Sequence, residues 1–247
     1  MEMVVNKKAR LEKVLDEVFV GIGPGPWPER LILDEKEYYR FHDFIYITSP
    51  LDELSEAQVV KVCDLRNVHA TEEHLEPNNM IRRYFNAVKE VCEPSLILEV
   101  GPGKSPLYAV RNENFEYILA ELDKTAVNYL SDHGYRAIAF DSKSTLSVES
   151  GSADLILGLF VFHFSFSQLQ INELARAIAN DGLLLINVYR RSKSSRKELE
   201  NMFQRSGFSV KTMTLNDGVG YDHEYWFVSK NLNSKKNLLA FEELKSL

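Results

Sequence analysis

Cysteine is nearly absent from this chain: its 247 residues hold two, Cys63 and Cys92. Two thiols cannot build a disulfide framework, and their spacing is not that of a metal site. They read as reduced, buried small hydrophobes. No run of 18 apolar residues occurs, which excludes a membrane-spanning helix. At the amino terminus Lys7, Lys8 and Arg10 lead into an amphipathic pattern, not the apolar core of a signal peptide, so a cytoplasmic location is expected. Positive charge is in deficit, with 29 Lys and Arg against 36 Asp and Glu and a net charge of −7. That balance argues against a protein held to nucleic acid by phosphate contacts, although it allows a local basic patch. Internal repeats and low-complexity segments are also missing. A composition of 45% hydrophobic and 26% charged residues fits a globular chain, and its length suits one α/β domain with an extension.

What is present centres on Leu96-Ile-Leu-Glu-Val-Gly-Pro-Gly-Lys-Ser105. A short apolar run passes an acid and ends in two glycines one residue apart, the pattern of a buried parallel strand turning tightly beneath a nucleotide-like ligand. Three ligand classes use such loops. A dinucleotide fingerprint needs a third glycine where Pro106 stands. A phosphate-binding P-loop needs a glycine where Leu98 stands, despite Gly103-Lys-Ser105. The third class, the acid-x-Gly-x-Gly loop for S-adenosylmethionine, is matched by Glu99, Gly101 and Gly103. Ser105 departs from it where many such loops carry another glycine.

The downstream order strengthens the third reading. Phe115 to Asp123 reads as a second strand ending in acids, and Glu121 is placed to accept hydrogen bonds from ribose hydroxyls. Ala137 to Asp141 reads as a short strand whose terminal Asp141 would meet an adenine amino group. Ala153 to Phe162 is a long apolar run, expected to be a central strand buried on both faces. Residues 168–179 show helical spacing, and Asn180 to Tyr189 supplies another strand. Residues 208–215 and 223–229 would form a terminal hairpin. Taken in order, "LEVGPG", "LAELD", "AFDS", "SADLILGLFVFHF", "IANDGLLLIN" and "FQRSGFSV" resemble the class I S-adenosylmethionine-dependent methyltransferases, in particular those acting on small molecules, lipids and sugars. The resemblance spans roughly residues 80–230. It implies an α/β fold with a doubly wound, seven-stranded Rossmann-like sheet and S-adenosyl-L-methionine as cofactor. It carries cofactor contact onto Glu99, Gly101, Pro102, Gly103, Glu121, Leu122, Asp141, Ser142 and Leu159.

Residues 1–78 lie outside that pattern and are expected to form a mainly helical extension or cap. The methyltransferase domain would span 79–232, with a tail or helix at 233–247. Val4, Leu11, Val14, Leu15 and Val18 share one helical face, predicting an amphipathic helix over 4–19. Gly21 to Pro28, with three prolines, reads as a rigid turn before any second ligand loop. The aromatics between Glu37 and Ile47 suggest strand. Helices are expected over 55–66, with Ser55 as N-cap, and over 78–92.

Methyl transfer needs alignment and exclusion of water before it needs a base. His163, directly after the central apolar run, is the candidate base; its plainer alternative is a packing histidine. Tyr221 and His223 are similarly placed on the loop 216–223, whose plainer reading is a flexible β-turn. Arg190, Arg191, Lys193, Arg196 and Lys197 could hold an anionic group on a small-molecule substrate, or form a solvated run leading into a helix with Ser195 and Glu198 at capping-box spacing. No Asp/Asn-Pro-Pro-Tyr follows the central strand and no Pro-Cys is present, so nucleic acid is not the expected target. A catalytically silent protein of the same fold, acting as a binding or regulatory subunit, is the alternative. Oligomeric state is left open.

Overall fold

The computed structural model describes residues 10–23, 27–69, 75–110, 114–215 and 223–247. The chain divides into two compact units, Met1–Glu73 and His74–Leu247.

The first unit is β-rich, which corrects the mainly helical extension expected from the sequence. Strands β1 (Arg10–Leu15), β2 (Val18–Ile22), β3 (Arg30–Leu33), β4 (Lys36–His42) and β5 (Ile45–Ile47) form one antiparallel sheet in the order β1-β2-β5-β4-β3. A two-residue turn at Asp16-Glu17, with Glu17 at φ 63°, folds β1 onto β2 and pairs Leu15 with Val18. The turn sits inside the span whose apolar residues imitate a helical face, so the three-to-four spacing there is an accident of two strands read end to end. β-Branched Val14, Val18 and Val20 suit a pleated surface, and pairing of β2 with β5 settles the competition. Helix α1 (Glu56–His69) packs on β2 and β5. Ser55 sits at its N-cap, donating both its amide and its hydroxyl to the Gln58 side chain. Cys63, on this helix, is half-buried and not fully interior as expected. Trp27 and Pro28 are tied back to the sheet through Arg40 and the Tyr46 hydroxyl, as suits a rigid turn; residues 24–26 of that segment lie outside the described residues.

The second unit is a doubly wound α/β sheet. Its strands are β6 (Leu96–Val100), β7 (Glu116–Glu121), β8 (Arg136–Ala139), β9 (Ala153–Gly158), β10 (Ile178–Val188), β11 (Ser209–Met213) and β12 (Glu224–Ser229), ordered β8-β7-β6-β9-β10-β12-β11. β6 to β10 run parallel, and β12 is antiparallel to both β10 and β11. Strand alternation sends Ile97, Leu119, Leu155, Leu157, Leu183 and Leu185 to one face. There they meet α2 (Leu75–Cys92), α3 (Lys124–Asp132) and α6 (Lys235–Ser246). Leu98, Ile118, Ile156, Leu184 and Ile186 face the other side, against α4 (Gln168–Ala177) and α5 (Lys193–Arg205). Both faces are therefore dry, which is why these strands read as continuous apolar runs rather than alternating ones.

Two helix starts follow their local chemistry. Ser167 and Gln170 form a reciprocal capping box for α4. The cap of α5 is Ser192, whose hydroxyl accepts from the Ser195 amide, so this helix starts before the Ser195–Glu198 pair expected to open it. β9 ends at Gly158, earlier than the apolar run suggested, because the chain turns at Phe160 (φ 54°). Cys92, at the end of α2, is buried, and burial pushes its thiol pKa up to about 11. Among the described residues no helix is long and apolar enough to cross a membrane.

Candidate active site

Chain connections leave β6 toward β7 and β9 toward β10, in opposite directions across the sheet. Between the carboxyl ends of β6 and β9 the winding reverses, and open α/β sheets hold ligands in that crevice. The loop after β6 lines it. Gly101 sits at φ 67°, its amide donating to the Ala120 carbonyl at 2.8 Å. A Cβ built on Gly101 would lie 2.4 Å from Cγ2 of Val161, so the loops after β6 and β9 touch here with no room for a side chain. Gly103, at φ 58°, has nothing within 4 Å of the same position. It borders open space.

Two buried carboxylates hold this loop. Glu99, near the end of β6, accepts from the Leu107 amide at 2.9 Å and from the Tyr117 hydroxyl. Tyr117 in turn accepts from the amides of Leu107 and Tyr108 at 3.1 and 3.4 Å. Glu121, at the end of β7, accepts from the Gly103 amide at 2.8 Å and the Asp123 amide at 3.0 Å. Burial pushes both carboxyls above the ordinary range; the hydrogen bonds they accept oppose that rise. A third support comes from α2, where Arg82 donates to the carbonyls of Ser105 (2.6 Å) and Pro106 (3.2 Å).

The connection between β6 and β7 contains no helix among its described residues, 101–110 and 114–115. A glycine loop in such a sheet ordinarily opens a helix, whose N-terminus favours anionic groups. Here an aromatic cluster of Tyr108, Phe115, Tyr117 and Tyr135 packs at this connection. Glu99, Tyr117 and Arg82 do the bracing that a helix would have done.

The other sequence-derived residues fall along the same strand ends. The Phe140 amide donates to the Glu121 carbonyl at 2.8 Å, which brings the end of β8 beside that of β7. Asp141 lies two residues past β8 instead of ending it. Its Oδ1 accepts from the Lys143 amide and the Ser144 hydroxyl, and these bonds hold its carboxyl below the usual range. The Ser142 carbonyl accepts from the Ser167 hydroxyl at 3.3 Å. The Pro102 carbonyl accepts from the Ser105 amide, Leu122 is half-buried and Leu159 is buried on the α2 side of the sheet.

No protein-family model and no curated protein sequence matches this chain. Solved structures do resemble it. A SAM-dependent methyltransferase from Aquifex aeolicus aligns at 15% identity and a TM-score of 0.49, over 71% of this chain and 99% of that one. A TehB-like SAM-dependent methyltransferase from Corynebacterium glutamicum aligns at 14% identity and 0.43, over 62% and 97%. The YcgJ protein of Bacillus subtilis aligns at 13% identity and 0.43, over 58% and 95%. Likenesses this distant carry no assignment, and the crevice itself has to.

Beside the crevice the ends of β9 and β10 carry a cluster of rings. Tyr189 lies 4.3 Å from His223, nearly parallel to it, and 4.5 Å from His163; Phe160 meets it edge-on. His163 is buried and also packs 4.0 Å from the Phe164 ring, as a packing histidine does. Tyr221 lies outside the described residues. The basic run is mostly committed within the chain. Arg191 donates to the Phe164 carbonyl and to Ser195, Arg196 pairs with Glu224 at 2.8 Å, and Lys197 pairs with Glu200. Those three positions serve the α5 start and its packing against β12, not an open anion pocket. Among the described residues no cluster of metal-ligating side chains occurs.

The structure adds residues that sequence reading passed over: Arg82, Tyr117 and Asn187. Asn187 alone left a trace, as an amide in the apolar run Leu183-Leu-Leu-Ile-Asn-Val188. A polar side chain in a strand buried on both faces requires partners.

Proposed function

We infer that this protein is a methyltransferase that binds S-adenosyl-L-methionine in the crevice between β6 and β9 and passes its methyl group to a small-molecule, lipid or sugar acceptor. The observation that carries this reading is the pair of left-handed glycines at the switch point, one closed against Val161 and one bordering open space, held by two buried carboxylates.

The residues present fit the cofactor. Open space at Gly103 admits a ligand against bare backbone. An ionised carboxylate offers about four acceptor positions, and the bonds from Gly103 and Asp123 leave Glu121 capacity for ribose hydroxyls. Gly101, Pro102 and Gly103 would border the methionine portion, Glu121 and Leu122 the ribose, and Asp141, Ser142 and Leu159 the adenine end. When bound, S-adenosylmethionine supplies an electrophilic methyl for in-line displacement. The chain's task is to orient the acceptor and exclude water. The rings of Phe160, Tyr189, His163 and His223 supply a wall suited to that on the acceptor side. The burial of His163 among rings supports a packing role over that of a base.

The lack of a crossover helix among the described residues 101–110 and 114–115 favours a second reading, a silent protein of this fold that has lost cofactor affinity. Calorimetric titration with S-adenosylhomocysteine, with NADH and MgATP as controls, separates the two. Micromolar binding of S-adenosylhomocysteine alone is the expected result. No binding by the folded protein would reject the enzyme reading.

A further inference from the structure

We propose that Glu173 and Arg176 of α4 are positioning residues for the purine of the cofactor: they suspend residues 141–150, so that the Asp141 carboxylate is held where it selects a 6-amino purine over a 6-oxo one. The ligand named rests on the methyltransferase reading; the suspension of the segment does not.

Residues 140–152 join β8 to β9 and contain neither helix nor strand. Phe140, Leu146 and Val148 are nevertheless buried, in one core with Ile171 and Leu174 of α4. Backbone drawn inward by those side chains has no strand ladder to satisfy it, so its polar groups need other partners. Helix α4 supplies them. The Leu146 amide donates to Glu173 Oε2 at 2.9 Å, and the Leu146 carbonyl accepts from Arg176 at 2.7 Å. The same guanidinium donates to the Val148 carbonyl at 2.8 Å and to the Ser150 hydroxyl at 3.1 Å. Glu173 and Arg176 stand three residues apart on one helical face and pair with each other at 3.0 Å. At the helix start the Ser167 hydroxyl donates to the Ser142 carbonyl at 3.3 Å. One helix therefore holds the segment near both ends, and holds Leu146 by its donor and its acceptor.

The segment begins at the crevice. Ala139 pairs with Glu121 across β8 and β7, and the Phe140 amide donates to the Glu121 carbonyl. The Glu121 side chain in turn accepts from the amide of Gly103, which borders open space. Asp141 is the next residue. Its Oδ1 takes the Lys143 amide at 2.9 Å and the Ser144 hydroxyl at 2.7 Å, which leaves Oδ2 for a ligand. An ionised carboxylate only accepts hydrogen bonds. It attracts the amino group of adenine and repels the carbonyl oxygen that replaces that group in hypoxanthine. Such selectivity requires an acceptor that stays in place, because a carboxylate on a loose loop swings away from the wrong base. Phe140 anchors Asp141 on one side. On the other side the first backbone anchor deep in the core is Leu146, in the grip of Glu173 and Arg176.

Calorimetric titration of the full-length protein with S-adenosylhomocysteine and with S-inosylhomocysteine, its 6-oxo analogue, reads the selectivity as a ratio of affinities. The wild type should prefer S-adenosylhomocysteine by about tenfold or more. Arg176→Ala should bring the ratio to within about threefold of one. Arg176→Lys keeps the charge beside Glu173 but not the fork that spans Leu146 and Val148, and should lower the ratio in the same direction. Asn172→Ala is the control: it removes a hydrogen bond from Ser206 to the same helix, and the ratio should hold. Hydrogen exchange of the ligand-free proteins should show the Leu146 amide released in Arg176→Ala while the amides of α4 stay protected. A wild-type ratio near one would overturn the proposal. So would the wild-type ratio in a folded Arg176→Ala or Arg176→Lys, or an equal loss in Asn172→Ala. A wild type that binds neither compound would instead reject the methyltransferase reading and the ligand named with it, and exchange at Leu146 would still decide whether α4 suspends the segment.

Discussion

Replacing the two loop glycines by alanine should give opposite signatures. At Gly101 the new Cβ would meet Val161 Cγ2 at 2.4 Å and Val161 Cβ at 2.8 Å, on backbone at φ 67°. Left-handed strain costs an L-residue about 1–2 kcal/mol and overpacking a further 1–3. Gly101→Ala should therefore destabilise the second unit by about 2–5 kcal/mol, a fall in Tm of roughly 4–20 °C for a unit of this size. At Gly103 the backbone is equally left-handed but the Cβ enters open space. Only the strain remains, about 1–2 kcal/mol, and the new methyl group stands where the cofactor would lie. Gly103→Ala should stay folded and lose at least about tenfold in S-adenosylhomocysteine affinity, or 1.4 kcal/mol. Val161→Ala removes the obstacle at the first position only. It should couple with Gly101→Ala by at least about 1 kcal/mol and add independently to Gly103→Ala. Thermal unfolding and calorimetry of the five variants decide the matter. If Gly101→Ala costs no more than Gly103→Ala, or Gly103→Ala binds unchanged, the reading of one glycine as packing and the other as ligand contact is wrong.

Glu121→Ala should retain the fold and weaken S-adenosylhomocysteine about 100-fold, since hydrogen bonds to a charged acceptor contribute about 1.5–3 kcal/mol each; an unchanged dissociation constant removes Glu121 from the site. Arg82→Ala should weaken S-adenosylhomocysteine and 5′-methylthioadenosine by the same factor, about tenfold, because it frees the carbonyls of Ser105 and Pro106 and loosens the whole loop. A loss confined to S-adenosylhomocysteine would instead make Arg82 a reader of the amino-acid tail. Burial raises the Glu99 carboxyl, so its contribution to stability is full below the unfolded value of about 4.3 and is lost as pH rises through the folded value. Urea midpoints followed upward from pH 4.5 should accordingly fall less steeply in Glu99→Gln than in the wild type, and parallel curves would show that Glu99 carries no such linkage. Glu173, lowered chiefly by its hydrogen bond from Arg176, acts in the opposite sense and loses its contribution as pH falls through its lowered folded value.

The order of elements in the second unit and the glycine loop follow from the sequence alone. Runs such as Ala153 to Gly158 and Leu183 to Val188 are apolar at every position or nearly so, and only strands covered on both faces afford that. Glycine beside an acid at a strand end likewise has few other uses. Tertiary structure decided the rest. In the first unit Leu11, Val14, Leu15 and Val18 fit a helical period as well as a hairpin, and only the pairing of β2 with β5 chooses between them. A glycine loop in such a sheet ordinarily opens a helix, and the loop after Gly103 does not over its described residues. Its supports come from residues separated along the chain, Arg82 on α2 and Tyr117 on β7, and no local pattern announces them. The basic run from Arg190 to Lys197 reads as a patch until Glu224, on another strand, and the Phe164 carbonyl claim its guanidinium groups. Local period and turn chemistry are written in neighbouring residues. Hydrogen-bond partners across strands are set by the register of the sheet, and this is why Asn187 and His223 meet only in the folded chain.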